Sequence, residues 1–535
     1  MMGIIPLTIY LERQPVVNSP SGEFRGGYNV TRKGRQFETY RGIPYAEPPT
    51  GELRFQPPIL ILNYSSPVDS TEDGASCPRP TSPGYNVNED CLVLNVYTPL
   101  KTERKKPLPV IVYIHAGGFY SLSGRSDIQG PHYLLDRDIV LVTFNYRLGT
   151  LGFLSTGDKL APGNNGMKDQ VAALKWVQRN IASFGGDPDC VTITGCSAGA
   201  ASVMLHMISP MSKDLFHRAI SMSGSPTRKI STPTNLNHLA VRQAKLVNCP
   251  THSSQAIIDC LKTVPWRDLG NSLRGFFEFG FDPLTLWEVV VEPDFGQERF
   301  LPVDTIEAIR KNKMHPVPYI ISVTQNEFFW KAFTVLNNET LLKKMNEEWS
   351  SIAPISFVLP RNNSTEATNR LREVYQLQTL RNDSETARHL GRLYADALES
   401  FNIYRLMKLM TIHSSKPVWT YEFRYIGNHT HYEDPMNKKP VGAAHHDDLI
   451  YLFPISYRFP PVGRDGDDAK LVDKMTAMWD PNNRGDTPEL EDIHWPPTTP
   501  TEKTFLRVDK QFSLDKNLLE EEVEVWEELY PLNYN

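Results

Sequence analysis

The sequence predicts an α/β protein built on a large, mostly parallel central sheet with helices on both faces. Three observations carry this. Short apolar, β-branched runs recur at Pro109–Ile114, Ile139–Phe144 and Val191–Thr194, as strands buried on both faces require. Segments with helical spacing alternate with them. Glycine-rich turns sit where strand gives way to helix.

The elements follow in order. The first hundred residues carry turn chemistry and short strands, and the proline-punctuated run Arg41–Pro49 cannot be helix. After the second apolar run, Val171, Leu174, Val177 and Ile181 form one helical stripe, which Gly185-Gly186-Asp187-Pro188 is expected to end. After the third, Ala200 to Ile208 reads as helix, with Val203, Met204, Met207 and Ile208 on one side. Val317–Val323 and Val418–Tyr425 read as later strands of the same sheet, and residues 340–412 as helices covering it. A chain of 535 residues has room for three or four domains of about 150. With no repeat, low-complexity segment or linker, one domain over 14–535 is the simplest reading, preceded by a segment, 1–13, of uncertain role.

Composition narrows the function classes. Lys+Arg 56 against Asp+Glu 62 gives a net charge of −6 with no basic stripe, which argues against nucleic acid as a partner. No run approaches the roughly 18 apolar residues of a membrane span. The six cysteines form no CxxC pair. Cys77 with Cys91 and Cys249 with Cys260 lie close enough in sequence to close short loops in an oxidising compartment. Met1–Leu11 lacks a basic start and a cleavage site and makes a poor signal peptide. Sequons at Asn29, Asn63, Asn338, Asn362, Asn363, Asn382 and Asn428 point the other way, toward secretion. No feature fixes an oligomeric state.

The chemistry centres on Gly195-Cys196-Ser197-Ala198-Gly199, a G-x-S-x-G turn between the Val191 strand and the Ala200 helix. Such a turn lifts a serine hydroxyl clear of the sheet. A serine is a weak nucleophile, so it needs a base, and the base needs an orienting carboxylate. In this arrangement the carboxylate and then the histidine follow in the chain. Glu327 lies just beyond the strand ending at Val323, and either His445 or His446 is suitably downstream. His115-Ala-Gly-Gly-Phe119, directly after Ile114, offers backbone N–H groups to an oxyanion. A metal site on His445, His446, Asp447 and Asp448, with His429 and His431, is disfavoured because adjacent residues rarely chelate one ion well. No metal or cofactor is expected.

These residues also carry a resemblance. Phe37–Pro49 with Leu53-Arg-Phe55, Glu89–Asn95, Asn145–Gly149, Gly163–Gly166 with Lys168-Asp-Gln170, and Phe184–Pro188 resemble, in order, the type-B carboxylesterase/cholinesterase family of α/β-hydrolases. Val291–Asp294 and His445–Phe453 look most like its insect secreted members, those near juvenile hormone esterases. The resemblance implies a catalytic set of Ser197, Glu327 and His445, an oxyanion hole on Gly117, Gly118 and Ala198, and disulfides Cys77–Cys91 and Cys249–Cys260. It further implies structural ion pairs of Arg41 with Glu89 and Arg147 with Asp169.

The implied activity is hydrolysis of a small hydrophobic ester through an acyl-enzyme; the rival from another class is a catalytically silent, cholinesterase-like adhesion protein. Three positions depart from the family pattern: Cys196 where Glu is usual, Ala116 where Gly is usual, and Phe328 where Gly is frequent. Phe328, Phe329 and Trp330 suit core or pocket lining equally. Pro78–Asp90 contains no Trp, which argues against a choline ester. Juvenile hormone esterases usually carry Gln before the nucleophile, so Cys196 counts mildly against that substrate.

Overall fold

The computed structural model describes residues 14–103, 106–360, 364–480, 489–490 and 493–535. The segment 1–13 and the sequons Asn362 and Asn363 lie outside the described residues. Among the described residues, eleven strands form the main sheet. They are β1 (Gly27–Val30), β2 (Gln36–Pro44), β3 (Val93–Pro99), β4 (Leu108–Ile114), β5 (Val140–Phe144), β6 (Gly186–Cys196), β7 (Arg218–Met222), β8 (Tyr319–Thr324), β9 (Val418–Phe423), β10 (Thr504–Val508) and β11 (Ser513–Lys516). Across the sheet the order is β11-β10-β9-β8-β7-β6-β4-β5-β3-β2-β1. The run from β10 to β5 is parallel, and both margins are antiparallel.

The uninterrupted apolar runs have the reason the sequence suggested. Every residue of β4, β5 and β8 is buried. Along β4, Val110, Val112 and Ile114 enter one core while Ile111 and Tyr113 enter the other, so the strand faces helices on both sides. Helix α1 (Asn165–Asn180) carries the expected stripe and is continued by a tight turn, Ile181–Phe184. Gly185 then turns left-handed at φ 83°, as a helix terminator does. Gly186 to Pro188 belong already to β6, which is longer than the Val191–Thr194 run because a register shift against β4 accommodates its first residues. The described residues of 339–413 are mostly helical, as read, and end in α3 (Ser384–Ala395) and α4 (Phe401–His413).

The disulfides join Cys77 to Cys91 and Cys249 to Cys260, leaving Cys190 and Cys196 as thiols. One expected ion pair is corrected. Glu89 is held by Arg54, with Nε–Oε1 at 2.5 Å and Nη2–Oε2 at 2.6 Å. Arg41 pairs with Asp73 at 3.0 Å instead. The register of β2 shifts between Tyr40 and Ile43, which turns Arg41 toward the Thr71–Asp73 segment. Arg147 with Asp169 stands as expected, at 2.7 Å and buried. Among the described residues, no helix is long and apolar enough to cross a membrane.

Candidate active site

Three parallel strands, β4, β6 and β8, deliver their next residues to one end of the sheet, the end where such folds bind ligands. After β6 the chain reverses into α2 (Ala198–Ile208) through a single residue, Ser197, at φ 56° and ψ −121°. A non-glycine residue so placed is strained by about 1–3 kcal/mol and must be held from outside. Ser197 N–H donates to Met222 O at 2.8 Å, and its carbonyl accepts from Ala201 N at 3.0 Å. The motif glycines are needed for space. A Cβ on Gly199 would lie 2.1 Å from Ile114 O, and one on Gly195 would lie 2.5 Å from the Gly199 carbonyl carbon. Gly224, which the sequence reading passed over, closes the far side: its Cβ would lie 2.2 Å from Ser197 O.

After β4, Gly117 and Gly118 take φ values of 113° and 59°. Gly117 O accepts from Tyr120 N at 2.9 Å and Ser121 N at 2.8 Å, so the turn is tight, and a Cβ on Gly117 would lie 2.1 Å from Ser121 O. Ala116, in place of the usual glycine, is fully buried. His115 stacks on Tyr146 with ring centroids 4.3 Å apart and bonds Ala116 O through Nδ1, and burial pushes its imidazole down to about 3. It is therefore a neutral spacer beneath the turn. Ala198 opens α2, so its N–H has no acceptor within the helix.

After β8, Glu327 is fully buried and meets His445 Nδ1 through Oε2. Its Oε1 accepts from Thr324 N at 2.8 Å. Burial alone would raise this carboxyl. The charge and hydrogen bond of His445, with bonds from Ser223 and Thr324, outweigh burial and hold it below the usual range. His445 Nε2 is buried and has no hydrogen-bond partner among the described residues. With Nδ1 donating to a carboxylate, Nε2 is the acceptor, the tautomer a general base needs.

His446 stands apart from this contact. It sits at φ 77°, its ring 4.0 Å from that of His445, and burial followed by the His445 charge drives its imidazole well below the usual range. The sequence left the two histidines open; the geometry brings His445 to Glu327 and turns His446 away.

The loop bearing His445 is fastened by residues the sequence reading did not assign. Asp447 accepts from Thr430 Oγ1 at 2.7 Å, His431 N at 2.7 Å, His431 Nδ1 at 3.0 Å and Ala444 N at 2.9 Å. Asn326 N donates to Ala443 O at 2.9 Å, tying the Glu327 turn to the His445 turn. Phe328 covers the His445 ring at 4.1 Å, whereas Trp330 stacks on Tyr432 at 4.8 Å and Phe329 packs on Phe333, so the aromatic trio divides between site and core. Behind the serine, Cys196 and Asp448 are both fully buried. Desolvation, then the charges of Asp448 and Glu327, push the thiol well up. Among the described residues no group of three or more His, Cys, Asp or Glu is arranged to hold a metal ion.

The arrangement offers a strained serine turn, an imidazole backed by a buried carboxylate, and a tight glycine turn beside them, which is the equipment of acyl transfer. Comparison with known proteins agrees. The model of the Carboxylesterase family matches residues 13–526. Juvenile hormone esterase of Tribolium castaneum is 34% identical over 88% of this chain and 83% of its own. Esterase FE4 of Myzus persicae is 35% identical over 94% and 90%. The crystal structure of juvenile hormone esterase from Manduca sexta with OTFP covalently attached superposes with a TM-score of 0.86 at 28% identity, covering 97% of this chain and all of that one. A turn built for nucleophilic serine chemistry and a family match over nearly the whole length lead to one conclusion: this chain belongs to the carboxylesterase family, has the α/β-hydrolase fold and is a serine carboxylic ester hydrolase.

Proposed function

We propose that Ser197, His445 and Glu327 carry the reaction, with Gly117, Gly118 and Ala198 as the oxyanion hole. The observation behind this is the strained Ser197 turn together with an imidazole whose Nδ1 meets a buried carboxylate and whose Nε2 has no partner among the described residues. Ser197 Oγ attacks the ester carbonyl while His445 Nε2 takes its proton. The three N–H groups receive the charge on the carbonyl oxygen. His445 returns the proton to the departing alcohol, then deprotonates the water that releases the acid. Hydrolysis of p-nitrophenyl butyrate by wild type and Ser197→Ala tests this. The variant loses on the order of 10⁴-fold or more in kcat, and fails to take up an organophosphate label; equal rates would refute the assignment.

The substrate is an ester whose bulk is apolar. A cavity of about 640 Å³ beside Phe119 and Ala201 supports this, its wall being more apolar than polar and including Leu205, Leu236 and Phe276. The span of the sheet, from residue 27 to 516, supports one domain over 14–535. Two disulfides favour a secreted protein, and the sequon asparagines Asn29, Asn63, Asn338, Asn382 and Asn428 are all exposed, as acceptors of N-glycans must be. Mass spectrometry of the native protein, finding neither a glycan nor the Cys77–Cys91 bridge, would overturn secretion.

A further inference from the structure

The cavity is not uniformly apolar. It borders the residues next to the reaction centre: Phe119 follows the Gly117-Gly118 turn, Ala201 lies one helical turn beyond Ser197, and Ser225 follows Gly224, which packs on the Ser197 carbonyl. Its other wall includes Arg228, Lys229, Glu288 and Glu399. Most of these charges are already satisfied. Arg228 pairs with Glu288. Lys229 Nζ donates to Ala397 O and lies 5.0 Å from the Trp526 ring. Glu399 differs from them. It lines the cavity, is only partly buried, and makes no hydrogen bond or ion pair among the described residues.

The backbone around Glu399 is also unusual. Residues Asp396–Ser400 form a π-helical turn between α3 and α4, and this turn supplies Ala397, Leu398 and Glu399 to the cavity wall. π-turns are rare and concentrate at functional sites, because the extra residue costs helical hydrogen bonding and re-aims side chains. Here it places Glu399 in the wall of the cavity that borders the Ser197 turn.

We propose that Glu399 is a specificity residue, and that the preferred ester is largely apolar but carries one hydroxyl group that Glu399 binds at the cavity wall. The proposal rests on the esterase reading above. A hydroxyl suits the position better than a cation. Arg228 and Lys229 act on Glu399 from the same wall and would repel an ammonium group. Burial, then the charge of Glu327, pushes the Glu399 carboxyl well up. A hydroxyl can donate to a carboxylate and accept from a carboxylic acid, so it fits either protonation state.

The test compares kcat/KM within matched sets, for wild type, Glu399→Leu, Glu399→Ala and Glu399→Gln. The acyl set is p-nitrophenyl hexanoate, 6-hydroxyhexanoate and 6-aminohexanoate; the alcohol set is hexyl acetate and 6-hydroxyhexyl acetate, followed by acid release. In wild type, one of the two sets favours its hydroxyl member relative to Glu399→Leu by about 10-fold or more, the worth of one enclosed hydrogen bond. Glu399→Ala gives the same shift, which keeps the test open if the larger leucine perturbs the turn. Glu399→Gln retains much of the preference, since an amide still binds a hydroxyl.

Ratios that move less than about twofold in both sets, from esters the wild type hydrolyses, overturn the assignment of Glu399 and leave the esterase reading intact. A Glu399-dependent preference for the amino ester overturns the choice of hydroxyl. A wild type inactive on every ester overturns the reading itself, and this proposal with it.

Discussion

Replacing Gly199 by alanine tests whether the serine turn is held by close packing of α2 on β4. The added Cβ would lie 2.1 Å from Ile114 O, 2.9 Å from the Ile114 carbonyl carbon and 3.1 Å from His115 O, whereas ordinary van der Waals contact begins at 3.4 Å. All three atoms are backbone at the end of a central strand bonded on both sides, so none can swing away. The relief must come from α2, which has to retreat by about 1 Å. The N-terminus of α2 carries Ser197 and Ala198, while the end of β4 carries Gly117 and Gly118. The retreat therefore separates the nucleophile from two of the three proposed oxyanion donors. A misplacement of that size costs about 10²-fold in rate, and the overpacking itself costs about 1–3 kcal/mol of stability. The assay is kcat/KM on a p-nitrophenyl ester, corrected for active sites by burst titration, beside a denaturant melt. Gly463→Ala is the control, since nothing among the described residues lies within 4 Å of its Cβ. A Gly199→Ala enzyme with wild-type kcat/KM would refute the packing account of the turn.

Glu327→Gln keeps the shape but removes the charge and the tautomer control at His445; kcat falls by about 10⁴-fold with little change in KM, read by steady-state kinetics. Asp448→Asn addresses a buried acid that burial, then the charges of Glu327 and Asp447, pushes up to about 8. Its folded pKa exceeds its unfolded one, so the folded state holds the extra proton and wild-type stability falls as pH rises from about 4 toward 8. The variant lacks that slope and gains about 2 kcal/mol on wild type between pH 6 and 8, measured by denaturant midpoints; parallel curves would contradict it. Arg54→Met leaves Glu89 buried without its partner and costs about 3–5 kcal/mol, whereas Arg41→Met costs clearly less, because Arg41 is about a quarter exposed. Equal losses in the two melts would contradict this difference between the two arginines.

Much of this was legible beforehand because strong local signals coincide with the fold. The runs at Pro109–Ile114 and Ile139–Phe144 are apolar at every position because both faces of β4 and β5 are buried, and Ser197 stands in a turn whose glycines have steric reasons. What escaped was set by contacts between distant segments. Arg41 and Arg54 look equally able to reach Glu89; the register shift in β2, a property of its pairing with β3, decides between them. Asp447 fastens the His445 loop only once residues 430 and 431 have folded back onto it. Gly224 is one more glycine in the sequence until the Ser197 carbonyl arrives against it. The π-turn at Asp396–Ser400 has no signature in a stretch that is helical throughout, because the extra residue changes backbone pairing and not the polarity pattern.

The departure at Cys196 takes its meaning from the two acids behind the serine. Glu327 and Asp448 are both fully buried, and each raises the cost of ionising the other. They are separated by their donors. Glu327 receives the Thr324 N–H and the His445 ring, while neither oxygen of Asp448 makes a hydrogen bond of normal geometry among the described residues, although the Leu449 N–H lies near enough to temper its rise. Glu327 is thus held ionised and Asp448 neutral at neutral pH. Such a separation of two acids by environment is how one site sustains different proton roles. A glutamate at 196, the usual family residue, would bring a third acid against this pair and would either charge at the expense of Glu327 or take up a proton of its own. The thiol does neither, since desolvation and those same two acids hold it protonated. Asp447 has its oxygens committed to Thr430, His431 and Ala444. The negative charge that meets an imidazolium forming at His445 in the proposed reaction is therefore that of Glu327, and the loss of the familiar acid at 196 leaves the counter-charge of the histidine in place.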